Sequence, residues 1–241
     1  MSGKVYEKTL TLKDNKKLKD IKVSFPKVVV FFVGGAGDKR PYGGSGPNGN
    51  ITVVLDKFAK QFSSEIKNGD IFASKSDTYL GYYEIYGDDR IKKNVISKLE
   101  NKNQSIVIVG HSLGGWNGSW LADKLSALGY KVELLITLDP VGVGYFVRKI
   151  SDIYHEPPAV EARYWVNLSY TRNDLEIDNL VANAGGRFNP KGRRRPLPND
   201  PDVNDGVDVD HAYTLAAMQV TTSKGMTTWE ILESTVKDCL R

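Results

Sequence analysis

The chain is poor in cysteine and in histidine, with one Cys and three His among its 241 residues. The single cysteine, Cys239, excludes an internal disulfide, so packing of the core must stabilise the fold. No apolar run approaches the roughly 20 residues that a membrane-spanning helix needs. The first residues, Met-Ser-Gly-Lys-Val-Tyr-Glu, lack the apolar stretch of a secretory signal peptide. We therefore expect a cytoplasmic protein, or one exported by a route that reads no such signal.

The rest of the composition is ordinary for a globular protein. Hydrophobic residues make up 40% of the chain and charged residues 26%, and the net charge is +4 at pH 7. This length suffices for one α/β domain with a buried sheet. We find no internal repeat and no linker, so we expect a single domain over 1–241. The mild positive charge fits contact with an anionic lipid surface, and equally a solvated surface slightly rich in lysine.

Apolar runs alternate along the chain with stretches of helical periodicity. The β-branched and aromatic run at 27–33 is typical of a strand buried on both faces of a parallel sheet. Further strands are expected at 105–109, 131–138 and 162–170, and helices at 51–66, 91–99, 116–128 and 227–240. This order predicts the α/β class: a mostly parallel central sheet, helices on both faces and an N-terminal antiparallel hairpin at 5–25. The long polar stretch 184–210 predicts a loop or a lid.

The hexapeptide Gly-His-Ser-Leu-Gly-Gly at 110–115 is the most informative stretch of the chain. An expected strand precedes it and an expected helix follows, which is the strand, Gly-x-Ser-x-Gly, helix order of a nucleophile elbow. Gly110 and Gly114 would let neighbouring backbone pass close to a sharply turned serine. Ser112 is therefore the candidate nucleophile. The plain alternative is a glycine-rich turn that holds an ordinary serine.

A serine hydroxyl needs a base to take its proton, and histidine suits that task near neutral pH. His111 precedes the serine, and we expect its side chain to point away from the sheet edge and to pack or bond locally. His155 lies in a Tyr-His-Glu-Pro-Pro segment, which favours a surface connection. His211 follows the last expected strand and precedes the C-terminal helix, where the chain order Ser, acid, His puts the base. His211 is the candidate base, and a surface histidine is the alternative.

The base needs an acceptor that fixes its tautomer. Asp139 ends the apolar strand that follows the nucleophile helix, and carboxyl ends of buried parallel strands face the ligand in open α/β sheets. It is the preferred acid, although a turn former before Pro140 is the plain interpretation. Asp174, after the following expected strand, is the rival, and Asp178 is a weaker one.

Acyl transfer also needs hydrogen-bond donors for an oxyanion. The Leu113 amide, next after the serine, is one candidate. The second is expected in the Gly-Gly-Ala-Gly-Asp loop at 34–38, because glycine lets backbone amides turn inward without Cβ clashes. Ala36 is preferred and Gly35 is the alternate. The loop lacks the Gly-Lys-Ser/Thr ending of a phosphate-binding P-loop.

The segments Phe-Phe-Val-Gly-Gly-Ala-Gly at 31–37 and Gly-His-Ser-Leu-Gly-Gly at 110–115, together with His211, resemble the α/β-hydrolase superfamily and its lipases in particular. Leu-Asp-Pro at 138–140 is similar to the acid site of pancreatic-type lipases. The oxyanion loop departs from the pattern, since Gly34-Gly35 stands where His-Gly is usual. Small bacterial lipase effectors delivered by type VI secretion are similar in their compact core and lack of a signal peptide. The resemblance covers about 27–140 plus the histidine, and it implies a serine esterase or lipase.

Two further patterns point to ligands more weakly. A basic cluster in the long loop suits phosphate, in lipid headgroups or at an anionic membrane surface, or is simply solvated; it comprises Arg187, Lys191, Arg193, Arg194 and Arg195. Its one nearby aromatic, Phe188, disfavours nucleic acid. Asp200, Asp202 and Asp205 have the oxygen density of a calcium loop, but the EF-hand spacing is absent.

The sequence thus predicts a cofactor-independent hydrolase of acyl esters, a lipase or a phospholipase, that acts through Ser112, His211 and Asp139. A thioesterase or acyltransferase on the same scaffold is the nearest alternative. A non-catalytic binding module of the same fold is the alternative from another class.

Overall fold

A computed structural model describes residues 25–44, 46–172, 177–189 and 200–241. Its centre is a parallel sheet, and every strand pairing within it is parallel. The strands are β1 (Val28–Gly34), β2 (Ile71–Phe72), β3 (Tyr79–Gly81), β4 (Ser105–His111), β5 (Lys131–Leu138), β6 (Trp165–Tyr170) and β7 (Val203–Val207). Their order is β2-β1-β4-β5-β6-β7, with β3 also paired to β1.

Helices connect these strands and cover the sheet. They are α1 (Thr52–Gln61), α2 (Ser63–Lys67), α3 (Asp88–Asn94), α4 (Leu113–Ala127), α5 (Tyr145–Ile150), α6 (Ile177–Gly185), α7 (Thr214–Met218) and α8 (Thr228–Leu240). Two 3₁₀ turns, Tyr82–Ile85 and Ile96–Lys98, flank α3. The capping box of α8, in which Thr227 and Glu230 satisfy each other's amides, fixes where that helix begins.

Alternation along the buried strands divides the core into two layers, because successive side chains of a strand point to opposite faces. In β1, Val30 and Phe32 pack with α1, α7 and α8. Phe31 and Val33 pack in the other layer, with α3, α4, α5 and α6. The predicted α/β class, with a mostly parallel sheet and helices on both faces, is confirmed.

Parallel pairing brings the carboxyl ends of the strands to one edge of the sheet. Val33 pairs with Gly110 in register, and His111 with Leu138. Tyr170 of β6 likewise pairs with Val207 of β7. The loops that follow β1, β4, β5 and β7 therefore leave the same edge, which we call the carboxyl edge.

Two expectations about irregular regions have different outcomes. The hairpin expected at 5–25 lies almost wholly outside the described residues. The expectation of a long loop or a lid over 184–210 is wrong at 203–207, where β7 pairs with β6. Its Val-Asn-Asp-Gly-Val sequence has low intrinsic strand propensity, and pairing with a buried strand overrides that propensity. Within the described ranges, no helix has both the length and the apolarity needed to cross a bilayer.

Candidate active site

The turn between β4 and α4 holds Ser112 in a strained backbone conformation. Its φ of 57° and ψ of −127° lie outside the regions that L-residues favour. Among the described residues, only Ser112 and Asp139 combine a side chain with a positive φ. A Cβ at Gly110 would lie 2.6 Å from the Gly114 carbonyl oxygen, and one at Gly114 would collide with the Val33 carbonyl. The two glycines therefore permit the sharp turn that places the serine, which is largely buried, at the carboxyl edge.

Backbone hydrogen bonds join the Ser112 turn to the loop after β5. The Ser112 amide donates to the Leu138 carbonyl at 3.0 Å, and the Val141 amide donates to the Ser112 carbonyl at 3.1 Å. These bonds fall on either side of Asp139. The serine and the carboxylate are thus held in one rigid unit.

Asp139 is fully buried and uses both of its carboxylate oxygens. Its Oδ1 accepts from the Tyr170 amide at 3.0 Å, and its Oδ2 lies 2.6 Å from His211 Nδ1. A carboxylate can only accept, so Nδ1 of His211 carries the proton. In the neutral imidazole this contact selects the tautomer whose Nε2 can accept a proton, which is the tautomer that a general base needs.

Arg187 is paired with the same carboxylate, a contact that no sequence pattern predicts. Its Nε lies 2.9 Å from Asp139 Oδ2, as an ion pair whose N–H is not aligned for a hydrogen bond. One terminal nitrogen donates to Asn179 Oδ1 at 2.9 Å, and that oxygen also accepts from the His211 amide at 3.0 Å. Arg187 therefore links the side chain of Asp139 to the backbone of His211. It belongs to the site rather than to a solvated basic cluster.

The buried His111 forms a long-range contact instead of the local one expected. Its Nε2 donates to the His211 carbonyl oxygen at 2.7 Å, and the two imidazole rings lie 4.6 Å apart. Burial holds the pKa of His111 well below its ordinary value, and the neighbouring His211 lowers it further, against a smaller opposing effect of the hydrogen bond. A neutral His111 thus holds the backbone of His211 in place through this hydrogen bond.

The glycine-rich loop after β1 lies directly against Ser112. A Cβ at Gly35 would be 2.6 Å from Ser112 Cβ and 3.0 Å from its Oγ. The buried Asp38 carboxylate fixes this loop by accepting from the Ile51 amide and from the Tyr79 hydroxyl. Burial raises the pKa of Asp38, although these two hydrogen bonds oppose the shift.

The two amides expected to bind an oxyanion lie in two different segments, the start of α4 and the loop after β1. Leu113 is the first residue of α4, and the first amides of a helix have no partner within it. Ala36 follows Gly35 in the turn that lies against Ser112. The candidate donors thus belong to the two segments, the start of α4 and the glycine-rich loop, that adjoin Ser112.

We find no match for this chain among protein families, curated proteins or solved structures.

The remaining candidate residues are not seen at the site in the described part of the chain. Asp174, Lys191, Arg193, Arg194 and Arg195 lie outside the described residues, and Asp178 lies in α6. His155 is on the surface, and its Nε2 donates to the Arg148 carbonyl at 3.0 Å.

The calcium hypothesis finds no ligand cluster in the part of the chain that the structure describes. No group of three His, Cys, Asp or Glu side chains there is arranged to hold a metal. Asp202 and Asp205 accept hydrogen bonds from two different backbone amides, those of Trp165 and Ser223. Asp200 is exposed. Calcium stays a prediction that no contact here supports.

Proposed function

We propose that this protein is a serine-dependent hydrolase of acyl esters, a lipase or phospholipase on an α/β-hydrolase fold. One observation carries the proposal. The backbone of Ser112, in its strained turn, is hydrogen-bonded to Leu138 and to Val141, the residues before and shortly after Asp139. The Asp139 carboxylate in turn binds His211. The sequence motifs around the glycine-rich loop and the serine supply the lipase-like part of the proposal.

In the proposed reaction, Ser112 Oγ attacks the ester carbonyl carbon while its proton passes to His211 Nε2. The carbonyl π electrons move onto oxygen, and the amides of Leu113 and Ala36 stabilise the resulting oxyanion. Asp139 keeps the imidazole in the required tautomer and stabilises its protonated form. Collapse of the tetrahedral intermediate breaks the bond to the alcohol oxygen, which takes the proton from His211.

Water then enters in place of the alcohol. His211 accepts a proton from this water as its oxygen attacks the acyl-enzyme carbonyl. The second intermediate collapses, and the proton returns to Ser112 Oγ as the carboxylic acid leaves. No step requires a metal or a cofactor.

The alternatives differ in the acceptor or in the chemistry. A thioesterase would use the same residues on a thioester, and an acyltransferase would use an alcohol or amine in place of water. A binding module would need none of the polarity around Ser112. The charged and hydrogen-bonded network beneath His211 favours an enzyme, because burying such groups without a function is costly.

The test is hydrolysis of a panel of triacylglycerols, phospholipids and short soluble esters by purified protein, with Ser112→Ala as the inactive control. Asp139→Asn should lower kcat by about 10³–10⁴-fold, since the amide favours the wrong histidine tautomer. Asp174→Asn should change kcat little. A reversed pair of effects would assign the acid to Asp174.

A further inference from the structure

Helix α5 presents large apolar side chains to solvent beside the candidate active site. Tyr145, Phe146 and Ile150 are 69%, 75% and 71% exposed, the highest values for large apolar residues in the described ranges. Val147, in the same helix, is buried in the core. The helix is thus anchored to the core through Val147, and its three large apolar side chains are exposed to water. Clustered exposed apolar side chains of this kind mark interaction surfaces.

Contacts fix α5 at the rim of the carboxyl edge. The helix begins six residues after Asp139, and the Arg148 side chain donates back to the Gly142 carbonyl at 3.0 Å. At its other end, Ser151 Oγ lies 2.8 Å from the hydroxyl of Tyr42, in the segment that follows the glycine-rich loop. The helix therefore spans from the acid loop to the loop beside Ser112.

The charged side chains of α5 itself are all basic. Arg148 and Lys149 are its only ionisable groups besides the phenol of Tyr145, and no Asp or Glu occurs at 140–151. The next acid, Asp152, is paired with Arg90 at 2.7 Å. The Lys149 ammonium lies 5.5 Å from the centre of the Tyr145 ring. Aromatic and aliphatic side chains beside unopposed basic ones match the boundary between acyl chains and anionic headgroups.

We propose that α5 docks the protein on an anionic lipid bilayer. Tyr145, Phe146 and Ile150 enter the boundary between headgroups and acyl chains, and Lys149 meets the phosphates. The carboxyl edge then faces the lipid, so that an acyl ester can reach Ser112. This delivery of substrate rests on the proposed function, whereas the docking itself needs no chemistry.

The test measures binding of the Ser112→Ala protein to vesicles of phosphatidylcholine alone and with phosphatidylglycerol, by co-sedimentation. The parent should bind the anionic vesicles, and added salt should weaken binding because it screens exposed charges. Phe146→Ser with Ile150→Ser should lower the partition coefficient by about 100-fold, about tenfold for each lost side chain. Lys149→Gln should lower it about fivefold, on anionic vesicles only.

Leu128→Ser is the matched control, since Leu128 is exposed but lies at the far end of α4. It should bind as the parent does, and all variants should melt alike because the changed residues are exposed. Unchanged binding of the double variant, or no binding of the parent, would overturn docking by α5. So would a dimer that the double variant abolishes without any vesicle binding, which would make the surface a contact between two copies.

The two proposals fail separately. A wild-type protein that binds vesicles through α5 but hydrolyses no ester contradicts the proposed function alone. A protein that hydrolyses soluble esters through Ser112 but does not bind vesicles contradicts docking alone.

Discussion

Ser112 and Asp139 are the two side-chain-bearing residues with positive φ in the described ranges, and they lie in adjacent turns. Each such conformation costs on the order of 1–3 kcal/mol and persists only where the surroundings impose it. Here the imposing contacts are the hydrogen bonds from Ser112 to Leu138 and from Val141 to Ser112. Within the described ranges, backbone strain of this kind is therefore concentrated at the proposed nucleophile and acid.

Arg187 should act as a positioning residue for this pair. Arg187→Met removes the cation beside Asp139 and releases Asn179, which supports the His211 amide. We expect kcat to fall by about 10–100-fold with KM little changed, since a misplaced base weakens the chemical step. Arg187→Lys should recover only part of this loss because lysine lacks the planar fork. Steady-state kinetics on a short soluble ester measure both parameters.

Arg163→Met is the control for that experiment, since Arg163 is exposed and pairs with Glu133 of β5, away from Asp139. Both variants need a melting curve, because losing one partner of a buried ion pair can cost about 3–5 kcal/mol. A folded Arg187→Met protein with kcat within about twofold of the wild type would contradict the positioning role.

Some features of the site follow from short stretches of sequence, and others from contacts between residues far apart in the chain. The motif around Ser112 lies within six residues. The positions of Asp139 and His211 after predicted strands make them candidates for the acid and the base. The contacts of Arg187 and His111 connect residues far apart in sequence, so no local pattern predicts them. The assumption that His111 bonds locally was wrong for that reason, since its partner His211 lies 100 positions away.

At the scale of elements, the glycine-rich loop after β1 makes a sharp prediction. Gly35→Ala would put a Cβ 2.6 Å from Ser112 Cβ, closer than real Cβ contacts come. A Cβ atom cannot move without its backbone, so either the loop or the serine must shift. We expect kcat/KM to fall by about 100-fold or more. Esterase assays on folded protein measure this.

Gly118→Ala is the control, because a Cβ there would meet Ile108 Cγ2 at an ordinary 3.4 Å. It lies inside α4 and should keep activity, with stability raised by up to about 1 kcal/mol. Near-normal kcat/KM of Gly35→Ala would show that the loop does not border the reacting centre.

Element prediction succeeded where burial and periodicity agree. Strands β1, β4 and β5 are long apolar runs, and α8 begins at a capping box, so sequence alone predicts them. Strand β7 contains Asn204, Asp205 and Gly206, and it forms because β6 offers an unpaired edge. That edge exists only in the assembled sheet, which is why a local pattern could not reveal it.

At the scale of the whole molecule, the buried His111 links stability to pH. Its pKa is well below the ordinary value in the folded state, mainly through burial, while in the unfolded chain it is about 6.5. Below about pH 6.5 the unfolded state therefore binds a proton that the folded state does not, and stability falls as pH falls. This contribution is fully present above that pH.

His111→Gln removes this proton linkage while keeping a donor for the His211 carbonyl. Between pH 7.5 and pH 5, the wild type should lose on the order of 1–2 kcal/mol more unfolding free energy than the variant. Urea unfolding at the two pH values measures the difference, with His155→Gln, on the exposed surface, as the control. Equal losses in the wild type and in His111→Gln would mean that His111 is not held neutral.

The parallel sheet gathers loops from distant parts of the chain at one edge, and we propose that these loops activate Ser112 there. The most direct test is reaction with a fluorophosphonate, followed by intact-mass spectrometry and peptide mapping. We predict one adduct, on Ser112, absent in Ser112→Ala and formed at least about 10³-fold more slowly in His211→Ala. A folded wild-type protein that stays unmodified, or an adduct that persists in Ser112→Ala, would contradict the account.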